Sequence, residues 1–150
     1  MTLPPNMEAD PFIKAVEHLR AGLSALETIV DLADIESSRE MVYDRYGRSF
    51  AAEQLPSLSA EEYLSFLLFE NNHHWTGINR YGSRTVKDMP ALLQALGILV
   101  DEQRPLAERY DLATGGRVEG FGRATATPIL HVVYPERYGV WNTKVEAGLK

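Results

Sequence analysis

The chain has 150 residues, of which 45% are hydrophobic and 24% are charged. This length and composition predict one globular domain with a single core. The absence of cysteine excludes disulfides, thiolate metal sites, iron–sulfur clusters and a cysteine nucleophile. The formal charge is −6, yet residues 1–75 hold 5 basic against 13 acidic side chains, whereas residues 76–150 hold 10 against 8. The net charge alone argues against a protein devoted to binding polyanions, and any surface for nucleic acid is expected to lie in the second half.

The beginning of the chain predicts neither export nor membrane insertion. MTLPPNMEADPF lacks a basic segment followed by an apolar run, and the longest apolar stretches are too short to cross a bilayer. We therefore expect a cytoplasmic protein without a membrane partner. Residues 1–9 are predicted to form a flexible N-terminus.

Apolar residues at helical spacing predict helices in the first half. The first helix begins at Pro11 with Asp10 as its N-cap, and its apolar stripe comprises Phe12, Val16, Leu19, Leu23, Leu26 and Val30. A second is predicted to begin at the capping box of Ser37, to end near Gly47 and to bury Met41, Val42 and Tyr46. A third, capped by Ser59 with Glu62, is predicted to be the central buried helix because it carries Tyr63, Leu64, Phe66, Leu67, Leu68 and Phe69.

The polar stretch NNHHWTGINRYGSRT, residues 71–85, is predicted to be a long loop. Trp75, Arg80 and Arg84 form a candidate base-contacting group, because an aromatic ring among arginines suits base stacking and backbone tracking. Packing of Trp75 at the edge of the core is the alternative. His73 and His74 are adjacent and lack the i,i+4 spacing of a zinc pair, so no metal site and no cofactor are predicted.

Two more helices are predicted after this loop. One follows TVKDMP and carries Met89, Leu92, Leu93, Leu96, Leu99 and Val100. A shorter one, in PLAERYDLATGG, ends at glycines. Because no alternating strand pattern occurs, we predict one all-α domain over residues 1–150. Residues 112–150 of that domain form a hairpin, a turn and a last helix.

Glycines at Gly120 and Gly122 allow a close approach of backbone to a partner, and the free N–H groups that open the next helix suit a phosphate. The segment VEGFGRATATPILHVVYPERYGVWN resembles the helix-hairpin-helix DNA glycosylase superfamily, which has the endonuclease III-like fold. That hairpin reads L-P-G-V-G-x-K-T-A, and the superfamily's catalytic aspartate corresponds here to Asn142, twenty residues beyond Gly122. The matching residues are Val118, Gly120, Phe121, Gly122, Thr125 and Ala126.

The resemblance implies a helix-hairpin-helix scaffold that binds DNA, duplex or damaged. The DNA-binding residues would be Gly120, Phe121, Gly122, Arg123, Thr125, Arg117 and Lys144. No catalytic residue is predicted, because Ala124 stands at the superfamily's lysine and cannot form a Schiff base, and Asn142 stands at its aspartate and cannot ionise. Asn142 also suits the N-cap of the last helix.

Pro128 leaves two interpretations of the helix after the hairpin. It either bends a helix that begins at Arg123 or is the first residue of a helix capped by Thr127. Trp141 is predicted to lie in the core, and His131 on a helix surface or in a satisfied position. Because the superfamily normally continues with more helix, we expect a compact variant or part of a longer domain.

Three functions are compatible with these patterns. The first is a DNA-binding protein of this scaffold without glycosylase activity. The second is a glycosylase or other DNA-processing enzyme in which the acid or base is relocated to Glu70, Glu119, Glu136 or a loop histidine. The third is a protein-interaction module on the same fold, consistent with the acidic first half.

Overall fold

The structure is a computed structural model that describes residues 11–27, 32–141 and 143–148. All of its regular elements within these ranges are helical and none is a strand, so the predicted all-α class is confirmed. The chain divides into two compact units, Met1–Ser37 and Ser38–Lys150. A single domain over residues 1–150 stays a prediction, and the predicted flexible N-terminus at residues 1–9 lies outside the described residues.

The first unit contains α1, Pro11–Glu27, and the beginning of α2, Leu32–Ser49. Helix α1 begins at Pro11 as predicted, while its predicted cap Asp10 lies outside the described residues. On its apolar stripe, the side chains of Leu19 and Leu23 are 65% and 58% exposed.

The predicted start of α2 at Ser37 is wrong, because the helix already begins at Leu32. Ala33 and Glu36 favour a helix, and Asp34 in its first turn complements the helix dipole. The predicted burial of Met41 is also wrong, since this side chain is 60% exposed. The buried side chains of α2 are spaced four residues apart: Val42, Tyr46 and, directly after the helix, Phe50. Met41 is one residue before Val42 and so lies off this face.

Helix α3, Ala60–Leu67, follows a 3-10 turn at Leu55–Ser57 and is capped as predicted, because the Glu62 N–H donates to Ser59 Oγ at 3.1 Å. In a complete capping box the Glu62 carboxylate would accept the Ser59 N–H. Here it binds Arg45, with Arg45 Nη2 and Glu62 Oε2 3.2 Å apart. Three of its apolar side chains are buried in the core: Tyr63, Phe66 and Leu67. Leu68 and Phe69 are exposed, which corrects the prediction of six buried positions: the helix ends at Leu67 and Leu68 adopts an extended conformation.

The predicted long loop is wrong, because residues 69–88 form a chain of short helical turns. These are α4, Phe69–Asn72, a 3-10 turn at Ile78–Tyr81, α5, Gly82–Thr85, and a 3-10 turn at Val86–Asp88. The buried amide of Asn72 organises their start: its oxygen accepts the N–H groups of His74 and Trp75 at 3.0 and 2.8 Å. Turns of four residues are too short to show a hydrophobic period.

The rest of the second unit follows the predicted order of elements. Helix α6, Met89–Val100, is capped by Asp88, and α7, Leu106–Thr114, packs against it. Residues 115–122 connect α7 to α8, Arg123–Val133; a turn then leads to α9, Thr143–Gly148. The predicted N-cap Asn142 lies outside the described residues.

Helix α8 begins at Arg123 and contains Pro128, so the predicted start at Arg123 is confirmed and the start at Thr127 is wrong, while a bend at Pro128 stays a prediction. Proline has no N–H to donate to the carbonyl of Ala124. The neighbouring Thr127 hydroxyl donates to the Arg123 carbonyl at 3.0 Å and accepts the N–H of Trp141 at 3.1 Å. Thr127 therefore joins the first turn of α8 to the segment before α9.

Gly47 permits the close approach of α2 and α8. A Cβ atom at Gly47 would lie 2.6 Å from the carbonyl oxygen of Val132, so we expect Gly47→Ala to lower the free energy of unfolding by about 2 kcal/mol. Gly97→Ala in α6 is the matched control, because no atom lies within 4 Å of that Cβ position and alanine raises stability by up to about 1 kcal/mol in a helix. Urea denaturation measures both, and equal effects would contradict the close approach.

Candidate functional site

The connection between α7 and α8 is folded tightly against the short helical turns before α6. Val118 and Phe121 are each 4% exposed and anchor it in the core. Gly120 has φ 83°, and a Cβ atom there would lie 2.6 Å from Cβ of Tyr81. Glycine readily adopts a positive φ and has no Cβ atom. Gly120 therefore permits close contact between the connection and the segment that carries Tyr81.

The N-terminus of α8 opens beside this contact. Gly122 is the N-cap, and its carbonyl accepts the N–H groups of Thr125 and Ala126 at 3.0 and 2.9 Å. The earlier N–H groups of a helix have no carbonyl partner within it and carry the positive end of the helix dipole. No atom lies within 4 Å of a Cβ position at Gly122, so this end of the helix is open to an incoming group.

Three cavities share Arg123, the first residue of α8. The hairpin cavity, about 430 Å³, is lined by Arg80, Gly120, Gly122 and Arg123 among others. The central cavity, about 450 Å³, is lined by His74, Trp75, Arg80, Arg123, Ala124 and Trp141 among others. The aromatic cavity, about 540 Å³, lies between α7, α8 and the segment after α8; its lining includes Leu106, Tyr110, Arg123, Tyr138 and Trp141.

The structure brings Arg80 and Trp75 of the predicted base-contacting group to these cavities. Arg80 lines both the hairpin and the central cavity. Trp75 lines the central cavity and also packs on the core, with its ring centroid 5.9 Å from that of Phe66. Packing of Trp75 at the edge of the core is therefore confirmed, and its contact with a base stays a prediction. Arg84 lines none of the three cavities and instead pairs with Glu119, with Nη1 and Oε1 3.6 Å apart.

The predicted DNA-binding residues and the two positions of the superfamily's catalytic pair lie in different environments. Thr125 is buried and lines the hairpin cavity, whereas Arg117 is exposed and lines none of the three cavities. Ala124, at the position of the superfamily's lysine, is exposed and lines the central cavity. Asn142 and the side chain of Lys144 lie outside the described residues, so their roles stay predictions.

The predicted relocated acids are not gathered at one place. Glu70 lies on α4 in a separate small cavity with His73, and Glu119 lines the hairpin cavity. Glu136 is exposed in the turn after α8 and lines none of the cavities named here. Within the described ranges, no three His, Asp or Glu side chains are arranged to hold a metal ion, and none of the helices is long and apolar enough to cross a membrane.

Trp141 corrects a prediction, because this side chain is 45% exposed rather than in the core. It lines both the central and the aromatic cavity. The sequence could not show this, because Trp141 lies between a turn and a short helix, where no hydrophobic period indicates which side of the chain faces the core.

A buried arginine that the sequence analysis missed holds the turn before Trp141. Arg109 on α7 is 1% exposed, donates to the Tyr138 hydroxyl, and its guanidinium lies 5.2 Å from the centroid of the Tyr138 ring. The same hydroxyl lies 3.4 Å from Oε1 of Glu102, which also binds Arg137. The Tyr134 hydroxyl donates to the Val100 carbonyl at 2.7 Å, so the turn is fixed to α6 and α7.

His131 is satisfied, in agreement with one of its predicted alternatives. Its Nδ1 faces the carbonyl of Tyr138 and must donate to it, and its Nε2 lies 2.7 Å from the Tyr43 hydroxyl oxygen. His74 lies nearby on the other side of Trp75. Its Nε2 is buried without a hydrogen-bond partner among the described residues.

Burial is the largest cause that lowers the pKa of His74 below 6.5, and the charges of His73, His131 and Arg39 lower it further. Between the folded and unfolded pKa values the unfolded chain binds more protons. We therefore expect the free energy of unfolding to fall as the pH drops from about 7 to about 5.

His74→Gln removes this proton-binding group, so its stability should fall less over the same pH range. Urea denaturation at several pH values measures the difference. His18→Gln, at an exposed position of α1, is the control. A pH profile of His74→Gln that is identical to that of the parent protein would contradict this assignment.

The chain matches no family model, no curated protein and no solved structure. A functional interpretation of the site is therefore based on its own geometry and on the motif at residues 118–142. The three cavities around Arg123 are the features from which that interpretation starts.

Proposed function

We propose that this protein binds DNA through the N-terminus of α8, with residues 115–122 as the hairpin of a helix-hairpin-helix scaffold, and that it lacks glycosylase activity. The observation that carries the proposal is that Arg80 and Arg123 both line two cavities to which the first residues of α8 contribute. Two guanidinium groups beside the N-terminus of a helix suit a phosphate.

The backbone of the connection supports a direct contact with a phosphate. Gly122 presents no side chain to the space in front of α8, so phosphate oxygens can approach the first-turn N–H groups within hydrogen-bond distance. The fold holds this backbone rigidly through the buried Val118 and Phe121. A binding surface that is already ordered loses little conformational entropy when the ligand binds.

The charge distribution explains how an acidic protein binds a polyanion. The positive charges of Arg80 and Arg123 act over about one Debye length, ~10 Å at moderate salt. The net charge of −6 instead repels DNA while it is still approaching the protein. We therefore expect modest affinity that falls steeply with salt, because each phosphate contact releases a counterion.

The chemistry of the same positions argues against base excision by the superfamily's reaction. Ala124 faces the central cavity, but it has no amine with which to attack a sugar. Asn142 carries no negative charge that could activate water or stabilise a positive sugar. The proposal therefore predicts DNA binding without release of a base, and the enzyme alternative requires release.

Gly122→Val tests the proposed phosphate contact. The position is extended, with φ −149° and ψ −164°, and has open space for a side chain, so we expect an unchanged helical signal. The valine side chain covers the first-turn N–H groups, and loss of a charge-assisted hydrogen bond lowers DNA affinity by about tenfold or more. Fluorescence anisotropy with labelled duplex DNA at low salt measures the change. Equal affinity in Gly122→Val would overturn the proposal.

Arg80→Ala provides the electrostatic arm of the same experiment. It should weaken binding. It should also reduce the slope of log affinity against log salt concentration by about one, because one phosphate contact is lost. Arg48→Ala is its matched control, because Arg48 is a largely exposed arginine on α2 that lines none of the cavities named here.

Glu119→Gln tests the acidic residue within the hairpin. Glu119 pairs with Arg84 and lines the hairpin cavity. Its carboxylate therefore repels a phosphate there and neutralises the Arg84 guanidinium. We expect Glu119→Gln to raise DNA affinity about two- to fivefold, corresponding to ~0.5–1 kcal/mol for an exposed pair. Glu136→Gln removes the same charge away from the hairpin and should have little effect. Weaker binding by Glu119→Gln would contradict this role.

A further inference from the structure

We infer that the aromatic cavity binds an unpaired nucleobase of a DNA strand whose phosphate is held at the N-terminus of α8. This inference rests on the proposed function and adds a second site to it. DNA with a single-stranded overhang would then be a better ligand than a blunt duplex.

The lining of the cavity fits a flat aromatic ring. Tyr110, Tyr138 and Trp141 surround a space of about 540 Å³, with Leu106 and Leu130 adding apolar surface. Leu106 and Trp141 are 43% and 45% exposed, which is unusual for large apolar side chains beside a cavity. A mainly apolar cavity of this volume with a few polar groups is typical of ligand sites, and aromatic rings stack on any nucleobase.

The position of the cavity connects it to the proposed phosphate site. Arg123 lines the aromatic cavity as well as the hairpin and central cavities, and Trp141 lines the aromatic and central cavities. A strand with a phosphate at α8 therefore has its neighbouring nucleotide close to the three rings. The polar groups of the cavity include Asp111, whose carboxylate can accept from an N–H group on the edge of a base.

The backbone of Trp141 and the ring of Tyr138 are held by hydrogen bonds. The backbone N–H of Trp141 donates to Thr127 Oγ at 3.1 Å. Tyr138 is held by Arg109 through its hydroxyl and by its own N–H, which donates to the Tyr134 carbonyl at 3.1 Å. An ordered stacking site costs little entropy on binding.

An unpaired base fits this site better than a paired one. Both faces of a base in an intact duplex are covered by its neighbours, and its edge is occupied by its partner, so insertion would require unstacking. An apolar side chain of a protein partner is the other occupant that such a cavity could accept. The nucleobase is favoured because Arg123, which lines this cavity, also lines the two cavities of the proposed phosphate contact.

Fluorescence of Trp141 provides the first test. The chain has 2 tryptophans, so Trp75→Phe leaves Trp141 as the only indole and keeps a ring beside Phe66. We expect a duplex with a single-stranded overhang to quench this fluorescence, and the same duplex with blunt ends to bind without quenching. A mononucleotide should quench only at much higher concentration, because it lacks the phosphate contact of the neighbouring nucleotide.

Affinity measurements on Trp141 variants provide the second test and do not depend on fluorescence of the protein. Trp141→Ala should lose about tenfold in affinity for the overhang duplex, the effect typical of one stacked base, and should no longer prefer the overhang duplex to the blunt one. Trp141→Phe should retain most of the preference, because it keeps a ring. Leu112→Ala, on an exposed part of α7 outside the cavity, is the control.

The outcomes separate the two proposals. Equal affinity for blunt and overhang duplexes, with no quenching of Trp141, would overturn the base site and leave the proposed duplex binding intact; the cavity would then suit a protein side chain. No binding of any DNA at low salt would overturn both. Loss of overhang preference in Trp141→Ala but not in Leu112→Ala would support the base site.

Discussion

The contact between Gly120 and Tyr81 is the constraint on which the candidate site depends. It exists because the position has a positive φ and leaves no space for a Cβ atom. The contact fixes the connection between α7 and α8 against the segment that carries Arg80. Without it, the arginine and the open end of α8 would belong to separate parts of the second unit. The absence of a side chain at Gly120 thus allows the segment with Arg80 to lie against the connection that leads to Arg123.

Buried polar side chains determine the irregular segments around this contact. Asn72 supplies the hydrogen bonds that a regular helix would otherwise provide, and so orders the turns between α4 and α6. Arg109 and His131 each bind the turn after α8, one through the Tyr138 hydroxyl and the other through the Tyr138 carbonyl. Because an unpaired buried polar group is costly, these pairs specify one arrangement of segments that have little hydrophobic pattern of their own.

Arg123 links the two proposals physically. As the first residue of α8 it lies at the positive end of the helix dipole, and it lines the hairpin, central and aromatic cavities. A phosphate and a base of one strand are joined covalently. Occupation of one site would therefore raise the affinity of the other, provided that the two sites are no more than one nucleotide apart. This arrangement would allow a protein of net charge −6 to hold DNA without a broad basic surface.

The sequence alone determined the features that arise from local physics. Helix α6 was predictable because its apolar residues recur at helical spacing, and the cap of α3 because Ser59 stands three residues before Glu62. Local patterns also indicated that a connection with Gly120 and Gly122 precedes α8. The start of α2 was missed because a capping motif also occurs inside a helix, where the preceding residues favour continuation.

Only the tertiary structure decided which side chains meet. The pairing of Arg84 with Glu119, the burial of Arg109 and the exposure of Trp141 depend on contacts between segments far apart in the chain. Such contacts leave no period in the sequence, since they are set by how helices pack and by which buried polar groups find partners. Local sequence therefore determined the longer helices with a clear hydrophobic period, and packing decided the short turns and the cavities around Arg123.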